Sequence, residues 1–423
     1  MDLKNLKIVK TSCKFCLREL SINEQRLNKD CHVNCQIEID NFNYGKYQGL
    51  ILSLDEIEAL VDLERYFNTK DGCIPILEEF NSNKIGITIQ NQHIDSLNLI
   101  NSKLIELPAS VKNFAHLKIL AVANNKIQIL PTWFKVLTKL EIIELDNNNL
   151  REVPDIFENL INLKMFSCSN NKLQALPSSF RYLQALKTLY LHNNSFYDFP
   201  EVIFELSNLE MLFLSNNKIA NIPQSMKILN YCSTINLLRN NFQVFPNIVN
   251  NFPGLKRLNL SYNNILEIPE EIRNLEKLEE IRLYKNRIHS LDPVFSCKNI
   301  RIIDIGANEV QILSSLIGKA TNIVSLSIDS NWLESLPKEI GLLKKLQTFS
   351  VESNRLRSIP PEINDLSNLM YLRLQNNLLT QLPDNLRGLK RLRKVFIMRN
   401  RMWYIPLELR YKTELRTFYN RGI

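Results

Sequence analysis

The chain has 423 residues, of which 45% are hydrophobic, and a formal net charge of +8. This length exceeds what one ordinary hydrophobic core supports, so we expect several domains or a repeat architecture that grows by adding units. No apolar run reaches the roughly 18 residues of a membrane-spanning helix, and the N-terminus lacks the continuous apolar segment of a secretory signal. Together with eight cysteines, this predicts a cytoplasmic protein whose cysteines bind metal or stay reduced.

A cluster of potential metal ligands lies near the N-terminus. The spacing Cys13-x2-Cys16-x15-His32-x2-Cys35 resembles a treble-clef or LIM-like half finger. Structural zinc sites are closed by four sulfur or nitrogen ligands, and this segment can supply one such set. We predict that residues 1–40 form a zinc-knuckle module with one structural zinc ion. Cys31 is the alternative to His32 as the fourth ligand.

Residues 41–93 are predicted to form a connector and a helical N-cap. From Ser53 onward, apolar residues recur at helical spacing, and Ser53 or Asp55 can cap the N-terminus of this helix. Ile85, Ile87 and Ile89 then alternate with small or polar residues, which predicts an edge strand. The first unit of a repeat array has an apolar face without a neighbour, so we expect this segment to cover it.

From Ile94 onward the sequence repeats with a period of 23 residues. In the unit at residues 140–162, leucine-like residues occupy positions 1, 4, 6, 11 and 14, Asn occupies position 9 and Pro occupies position 15. We expect a short strand at each LxL, stacked into a parallel sheet, and a short helical turn after each Pro. The Asn side chain can bond backbone groups that the turn leaves unpaired. Thirteen full repeats have Asn at this position: Asn125, Asn148, Asn171, Asn194, Asn217, Asn240, Asn263, Asn286, Asn308, Asn331, Asn354, Asn377 and Asn400.

This pattern resembles the leucine-rich repeat of the intracellular, LP-containing type found in Ras-group and Roco-like proteins. The resemblance implies an α/β solenoid: a leucine-rich repeat horseshoe with a parallel concave sheet, preceded here by the small zinc-binding module and the helical cap. We place the solenoid at residues 94–423, with about 14 repeats and a partial last strand. In such families the repeats hold signalling proteins, often small GTPases or their regulators.

Two features depart from the regular repeat. The repeat from Leu278 has 22 residues, and the next repeat lacks the usual Pro, so residues 291–320 are irregular. Either a tolerated loop variant or a functional bend could explain this. Cys168 and Cys232 occupy leucine positions, and we interpret them as core thiols rather than nucleophiles.

The residues that flank the strand leucines are expected to point outward and form a binding face. Tyr and Arg, which often anchor interfaces, are frequent among them, and their alternation with acidic residues suits a protein better than a nucleic acid. We therefore predict a monomer that binds a protein partner through this face. The predicted partner-binding residues are Tyr190, His192, Phe213, Arg239, Arg257, Tyr262, Arg282, Tyr284, Asp304, Asp329 and Arg373.

The sequence contains none of the common catalytic motifs, such as a glycine-rich phosphate loop, GxSxG or HExxH. We therefore predict a non-enzymatic protein-binding scaffold in signal transduction, with small-GTPase-linked signalling implied by the resemblance. Two alternatives stay open at this point. The chain could be a component of a ubiquitin ligase of the leucine-rich repeat type, or a fragment of a larger signalling enzyme.

Overall fold

The computed structural model describes residues 44–48, 50–64, 66, 74–224, 227–383 and 385–402. The chain forms two compact units. The first comprises Met1–Ser195 and Pro200–Leu209, and the second comprises Phe196–Phe199 and Glu210–Ile423. The predicted zinc ligands, Cys13, Cys16, His32 and Cys35 with the alternative Cys31, lie outside the described residues.

The first unit begins with an antiparallel hairpin of β1 (Tyr44–Tyr47) and β2 (Leu50–Ser53), followed by helix α1 (Leu54–Glu64). The helix starts with a reciprocal capping box. The Glu56 amide donates to Ser53 Oγ at 3.3 Å, and the Ser53 amide donates to Glu56 Oε2 at 3.4 Å. The predicted helix is thus present, with Ser53 as its N-cap. Its role as a cap for the repeats stays a prediction.

Glu56 also joins helix α1 to the first strands of the sheet. Its carboxylate is almost fully buried and accepts a hydrogen bond from the Ile94 amide at 3.0 Å. His93 Nδ1 lies 3.3 Å from the other carboxylate oxygen, and the His93 ring stacks on His116 with 3.8 Å between centroids. A buried carboxylate with these partners holds the helix in a fixed position against the sheet.

Among its described residues, the first unit has a main sheet of six strands: β3 (Gly86–Gln90), β4 (His93–Asn98), β5 (Ile119–Ala121), β6 (Ile142–Glu144), β7 (Met165–Ser167) and β8 (Thr188–Tyr190). Strands β3 and β4 are antiparallel, and every later pair is parallel. The predicted edge strand is therefore present and begins at Gly86.

In the described part of the second unit there are nine parallel strands: β9 (Met211–Phe213), β10 (Thr234–Asn236), β11 (Arg257–Asn259), β12 (Glu280–Arg282), β13 (Ile302–Asp304), β14 (Ser325–Ser327), β15 (Thr348–Ser350), β16 (Tyr371–Arg373) and β17 (Lys394–Phe396). Each strand pairs with the strand of the next repeat. The parallel repeat sheet expected from the sequence is thus present in both units.

Short helical turns form the opposite side of many repeats. Within the residues that the structure describes, eight 3₁₀ turns lie on this side: Ala109–Asn113, Thr132–Val136, Ser178–Tyr182, Glu201–Glu205, Glu270–Asn274, Ser315–Lys319, Lys338–Leu342 and Pro361–Asp365. All but the sixth directly follow a Pro, whose fixed φ starts the turn and whose carbonyl accepts its first bond, as Val111 N–H donates to Pro108 O at 3.1 Å. We call this surface the helical side.

The Asn at position 9 makes the same three contacts along the chain, as expected. The Asn286 amide nitrogen donates to Leu283 O in its own repeat and to Leu260 O in the preceding repeat, both at 3.0 Å. The Asn286 carbonyl oxygen accepts from the Ile265 amide at 3.0 Å. Each Asn therefore pairs buried backbone groups of two consecutive repeats, which links neighbouring repeats together.

The two cysteines in leucine positions are core thiols. Cys168 and Cys232 have no exposed surface and form no disulfide. Burial raises the pKa of Cys168 well above its ordinary value and raises the pKa of Cys232 to about 12, so both stay protonated. The protonated thiol is a poor nucleophile, which agrees with the packing role predicted from their positions.

The irregular region keeps the register of the sheet. Helix α2 (Asp292–Phe295) replaces the 3₁₀ turn of the shortened repeat, and β12 and β13 remain paired with Ile281 opposite Ile303. In the following repeat, Ser314 takes the place of Pro, caps the turn and donates from its Oγ to Asp292 at 2.6 Å. The repeat is thus one residue shorter on the helical side only, while its strand stays paired. This favours the loop-variant interpretation over a bend.

The Asn contacts lead to a first prediction. Asn286→Ala leaves one buried N–H and two carbonyls without these partners, so we expect the free energy of unfolding to fall by about 3 kcal/mol. Asn264→Ala, which truncates an exposed Asn of the same unit, is the matched control and should change it by less than about 0.5 kcal/mol. Urea unfolding followed by circular dichroism measures both. Equal effects of the two variants would contradict the structural role of Asn286.

Candidate functional site

One face of the sheet carries the side chains that flank each strand centre. In β12, Ile281 points into the core, whereas Glu280 and Arg282 point away from it. The same arrangement repeats along the second unit because successive side chains of a strand alternate between faces. Most of the predicted partner-binding residues lie on or beside this sheet face.

Two predicted residues, Tyr190 and His192, belong to the first unit and are half-buried. Ser169 Oγ lies 2.8 Å from His192 Nδ1, and the Ser169 amide donates to Asp146 at 2.6 Å. Asp146 also accepts from Ser167 Oγ at 2.7 Å. This resembles a catalytic pair in composition only, because Ser169 is fully buried and Asp146 contacts the serines rather than the imidazole.

The second unit brings three cationic and aromatic side chains together around Tyr262. The Arg239 guanidinium lies 4.8 Å from the centre of the Tyr262 ring, and Lys285 Nζ lies 5.1 Å from it. The Tyr284 ring packs beside Tyr262 with 5.4 Å between centroids. We call Arg239, Tyr262, Tyr284 and Lys285 the Tyr262 cluster. Such contacts combine positive charge with aromatic surface, as in many recognition sites.

The backbone of this cluster differs from the sequence-based expectation. Arg239, Tyr262 and Lys285 do not flank the strand leucines but occupy the turn beyond the strand, with φ of 54°, 56° and 58°. This left-handed conformation is tolerated best by Gly and Asn. The equivalent position in the five preceding full repeats is Asn: Asn124, Asn147, Asn170, Asn193 and Asn216. Later repeats also depart from Asn, with Ala307, Ser330, Ser353 and Arg399 at this position. The sequence signal for the cluster is therefore the run of Arg, Tyr and Lys in three consecutive repeats, which strand alternation alone does not reveal.

Gly306 is a residue of this site that sequence reasoning missed. A Cβ atom at Gly306 would lie 2.8 Å from the nearest ring carbon of Tyr284, closer than side chains tolerate. The Tyr284 ring therefore lies against a bare stretch of backbone, and Gly306 makes room for it. Its position-7 location in the repeat is the only signal in the sequence, since the other full repeats carry a side chain there.

Two exposed arginines lie on the strands near the cluster. Arg257 Nε donates to Thr234 Oγ1 at 3.2 Å, and Arg282 Nε donates to Glu280 Oε1 at 2.5 Å. Both arginines remain exposed, so their remaining guanidinium N–H groups face solvent. They extend the positive region across the sheet face.

The next repeats carry acidic residues with different surroundings. Burial, the largest effect, and the nearby Asp329 raise the pKa of Asp304, which outweighs the opposing effects of the Gly306 amide and Arg282. Asp329 instead accepts from Ser350 Oγ at 2.5 Å and from the Glu352 amide at 2.8 Å. Asp146 makes the same contacts in the first unit. The sequence signal that was missed is a Ser 21 residues after each of these aspartates.

The remaining predicted residues lie at the two ends of the second unit. Phe213 is half-buried on β9, and the exposed Arg373 guanidinium lies 5.7 Å from the centre of the Phe396 ring. The structure therefore brings together Arg239, Tyr262 and Tyr284, with Arg257 and Arg282 on the neighbouring strands. It places Tyr190 and His192 in the other unit.

Within residues 44–402, apart from the gaps given above, no group of three or more His, Cys, Asp or Glu side chains is arranged to hold a metal ion. Across the same ranges, every helix is too short or too polar to span a bilayer.

Comparisons with known proteins identify the repeat. A family model described as leucine-rich repeat region matches residues 284–421, and two further leucine-rich repeat models match residues 138–196 and 254–275. No curated protein matches the chain significantly.

Solved structures extend the comparison. An LRR protein of Leptospira interrogans is 32% identical, with a TM-score of 0.60 over 67% of this chain and 78% of that chain. An internalin, InlF, from Listeria monocytogenes is 21% identical, with a TM-score of 0.58 over 76% of this chain and 85% of that chain. The LRR ectodomain of the receptor kinase GASSHO1/SCHENGEN3 from Arabidopsis thaliana, in complex with CASPARIAN STRIP INTEGRITY FACTOR 2, is 21% identical, with a TM-score of 0.51 over 84% of this chain and 55% of that chain. The last two likenesses concern the fold alone.

The surroundings of Asp304 lead to a second prediction. Folding raises the pKa of Asp304. At a pH above its pKa in the unfolded chain, the ionised carboxylate therefore destabilises the native state. Asp304→Asn should therefore raise the melting temperature at pH 7, and this gain should shrink as the pH falls towards 4.

Thermal unfolding at the two pH values measures the effect. Asp329→Asn is the matched control, because its carboxylate braces the neighbouring repeat, and it should lower the melting temperature at pH 7. A lower melting temperature for Asp304→Asn at pH 7 would contradict the prediction.

Proposed function

Because the chain belongs to the leucine-rich repeat family, we propose that it is a non-enzymatic protein-binding scaffold. It presents the sheet face of its second unit to a protein partner. The observation that carries this proposal is the concentration of exposed arginines and half-buried tyrosines on one face of β10–β12 and the turns that follow these strands. Arg and Tyr are the residue types most often found at the energetic centre of protein interfaces.

The dimensions of this face suit such a role. Nine strands at about 4.8 Å spacing extend over roughly 40 Å, which accommodates an interface of standard size. Arg and Tyr side chains on a rigid sheet also lose little conformational freedom when they bind. The Arabidopsis receptor ectodomain was solved with CASPARIAN STRIP INTEGRITY FACTOR 2, so a solenoid of this fold can hold a ligand, and we propose a protein or peptide ligand for this chain.

The buried groups support a role without catalysis. The thiols of Cys168, Cys232 and Cys297 are buried and protonated, and the hydroxyl-bearing Ser169 of the Ser169–His192 pair is fully buried. These three described cysteines form no disulfide, and on that support we also propose a cytoplasmic location. The LP-containing repeats resemble those of Ras-group and Roco-like proteins, and on that resemblance we propose small GTPases or their regulators as the class of partner. We propose a monomer as the binding species.

Charge reversal on the strands tests the proposal. Arg257→Glu together with Arg282→Glu should abolish capture of the partner, because two exposed cations at the centre of the face become anions. Pull-down with the immobilised full chain, followed by mass spectrometry, identifies the partner and measures its capture.

The matched control is Arg273→Glu with Lys277→Glu, which changes the net charge equally on the helical side of the same unit. Capture should survive in this control. A partner retained by the strand variant and lost by the control would place binding on the helical side and refute the proposed face.

We also propose that Cys13, Cys16, His32 and Cys35 bind one structural zinc ion. The support is their spacing and the preference of zinc for closed sets of four thiolate and imidazole ligands. The site would stabilise the N-terminal module without an open position for catalysis.

Elemental analysis tests this site. Purified protein should contain about one zinc per chain, and Cys35→Ser should remove it. His32→Ala and Cys31→Ser separate the two candidates for the fourth ligand, since only the variant that removes a true ligand should lose the metal. Protein purified without a chelator and free of zinc would refute the module.

A further inference from the structure

The Tyr262 cluster has more positive charge than its own surroundings balance. The cationic groups of Arg239 and Lys285 each lie about 5 Å from the centre of the Tyr262 ring. Both side chains are exposed, whereas Arg282 is neutralised in part by Glu280. An anionic ligand bound at the cluster would therefore have two cations as partners.

The backbone of the cluster indicates that its residue types are not there for stability. Arg, Tyr and Lys lack the short polar side chain with which Asn stabilises a left-handed turn, and each costs more in this conformation than Asn. Each cation–aromatic contact stabilises the folded protein by only about 0.5–1 kcal/mol at an exposed position. Every repeat has this backbone conformation, and Ala307 and Arg399 also depart from Asn at this position. What distinguishes the cluster is that large cationic and aromatic side chains occupy the position in three consecutive repeats and contact one another there.

Resting on the proposed function, we propose that the Tyr262 cluster binds an acidic segment of the protein partner. Carboxylates of the segment pair with Arg239 and Lys285, and its apolar atoms lie against Tyr262 and Tyr284. Three strands at about 4.8 Å spacing are crossed by about four residues of extended chain, so a run of about four acidic residues matches the cluster.

The charge beyond the cluster favours a protein over a nucleic acid. Asp304, Asp329 and Glu352 occupy the three following repeats, and they would repel a continuous phosphate chain. The charge of a polypeptide can change sign along its length, so basic residues can follow the acidic run. Such a basic residue near Asp304 would also stabilise the carboxylate that burial disfavours.

A fluorescein-labelled peptide with four consecutive glutamates between glycines is the probe, and the full chain is the receptor. Fluorescence anisotropy should detect binding that weakens with salt. The double variant Arg239→Asn with Lys285→Asn should lower the affinity at least tenfold. Its melting temperature should stay the same or rise, because Asn suits the left-handed turn better. A purely structural role of these residues predicts the opposite change in melting temperature.

The matched control is Lys277→Asn with Lys298→Asn, two exposed lysines on the helical side that change the net charge equally. The proposal requires that this control bind the peptide as the unmodified protein does. An equal loss in the control, no binding of the glutamate peptide, or tighter binding of a lysine peptide or of a ten-nucleotide RNA overturns it.

The outcome is separable from that of the proposed function. If reversal of Arg257 and Arg282 abolishes partner capture while the glutamate peptide does not bind, the acidic segment is refuted and the scaffold function stands. If partner capture is also insensitive to the reversal of Arg257 and Arg282, both the proposed binding face and the acidic segment are refuted. If the peptide binds at the cluster and competes with the captured partner, both are supported.

Discussion

The structure depends on how each repeat satisfies the backbone groups that its tight turn leaves inside the core. One Asn per repeat does this, with two donated hydrogen bonds and one accepted. A buried backbone group without a partner costs about 1–3 kcal/mol, so the penalty without this side chain would recur in every repeat. Because two of the three contacts reach the preceding repeat, the same side chain that closes one turn also orders its neighbour. Within each unit, stability is therefore a property of adjacent repeats and not of any one of them.

This arrangement leaves the outward residues of the sheet free to vary. The core leucines, the Asn and the Pro set the path of the chain, so a substitution on the sheet face changes the surface without changing the fold. The chain uses this freedom in two ways. Asp146 and Asp329 brace the next repeat through a Ser hydroxyl and a backbone amide. Arg239, Tyr262 and Lys285 instead accept an unfavourable backbone conformation and contact one another.

The contrast between Asp304 and Asp329 shows how these two uses meet on one surface. Asp304 is the last residue of β13, and Asp329 lies two residues beyond β14 in the next repeat. The carboxylate of Asp329 accepts two short hydrogen bonds from the following repeat, whereas burial raises the pKa of Asp304. Stability and binding place different demands on a charged group, since a well-satisfied carboxylate gains little from a partner and a poorly satisfied one gains more. The sheet face is thus divided into residues that serve the fold and residues suited to recognition.

The sequence by itself determined the repeat and its register, the strands, the Asn contacts, the start of the helical turns at Pro and the core position of Cys168 and Cys232. These features follow from periodicity and from the chemistry of single side chains, both of which are local. Only the tertiary structure decided which outward residues meet. The contact of Lys285 with Tyr262, the room that Gly306 gives to Tyr284 and the bond between Ser350 and Asp329 each join residues of different repeats. Such contacts depend on backbone dihedrals and side-chain rotamers that the periodic pattern leaves undetermined. The pattern specifies the position of each residue in the repeat but not the conformation of its side chain.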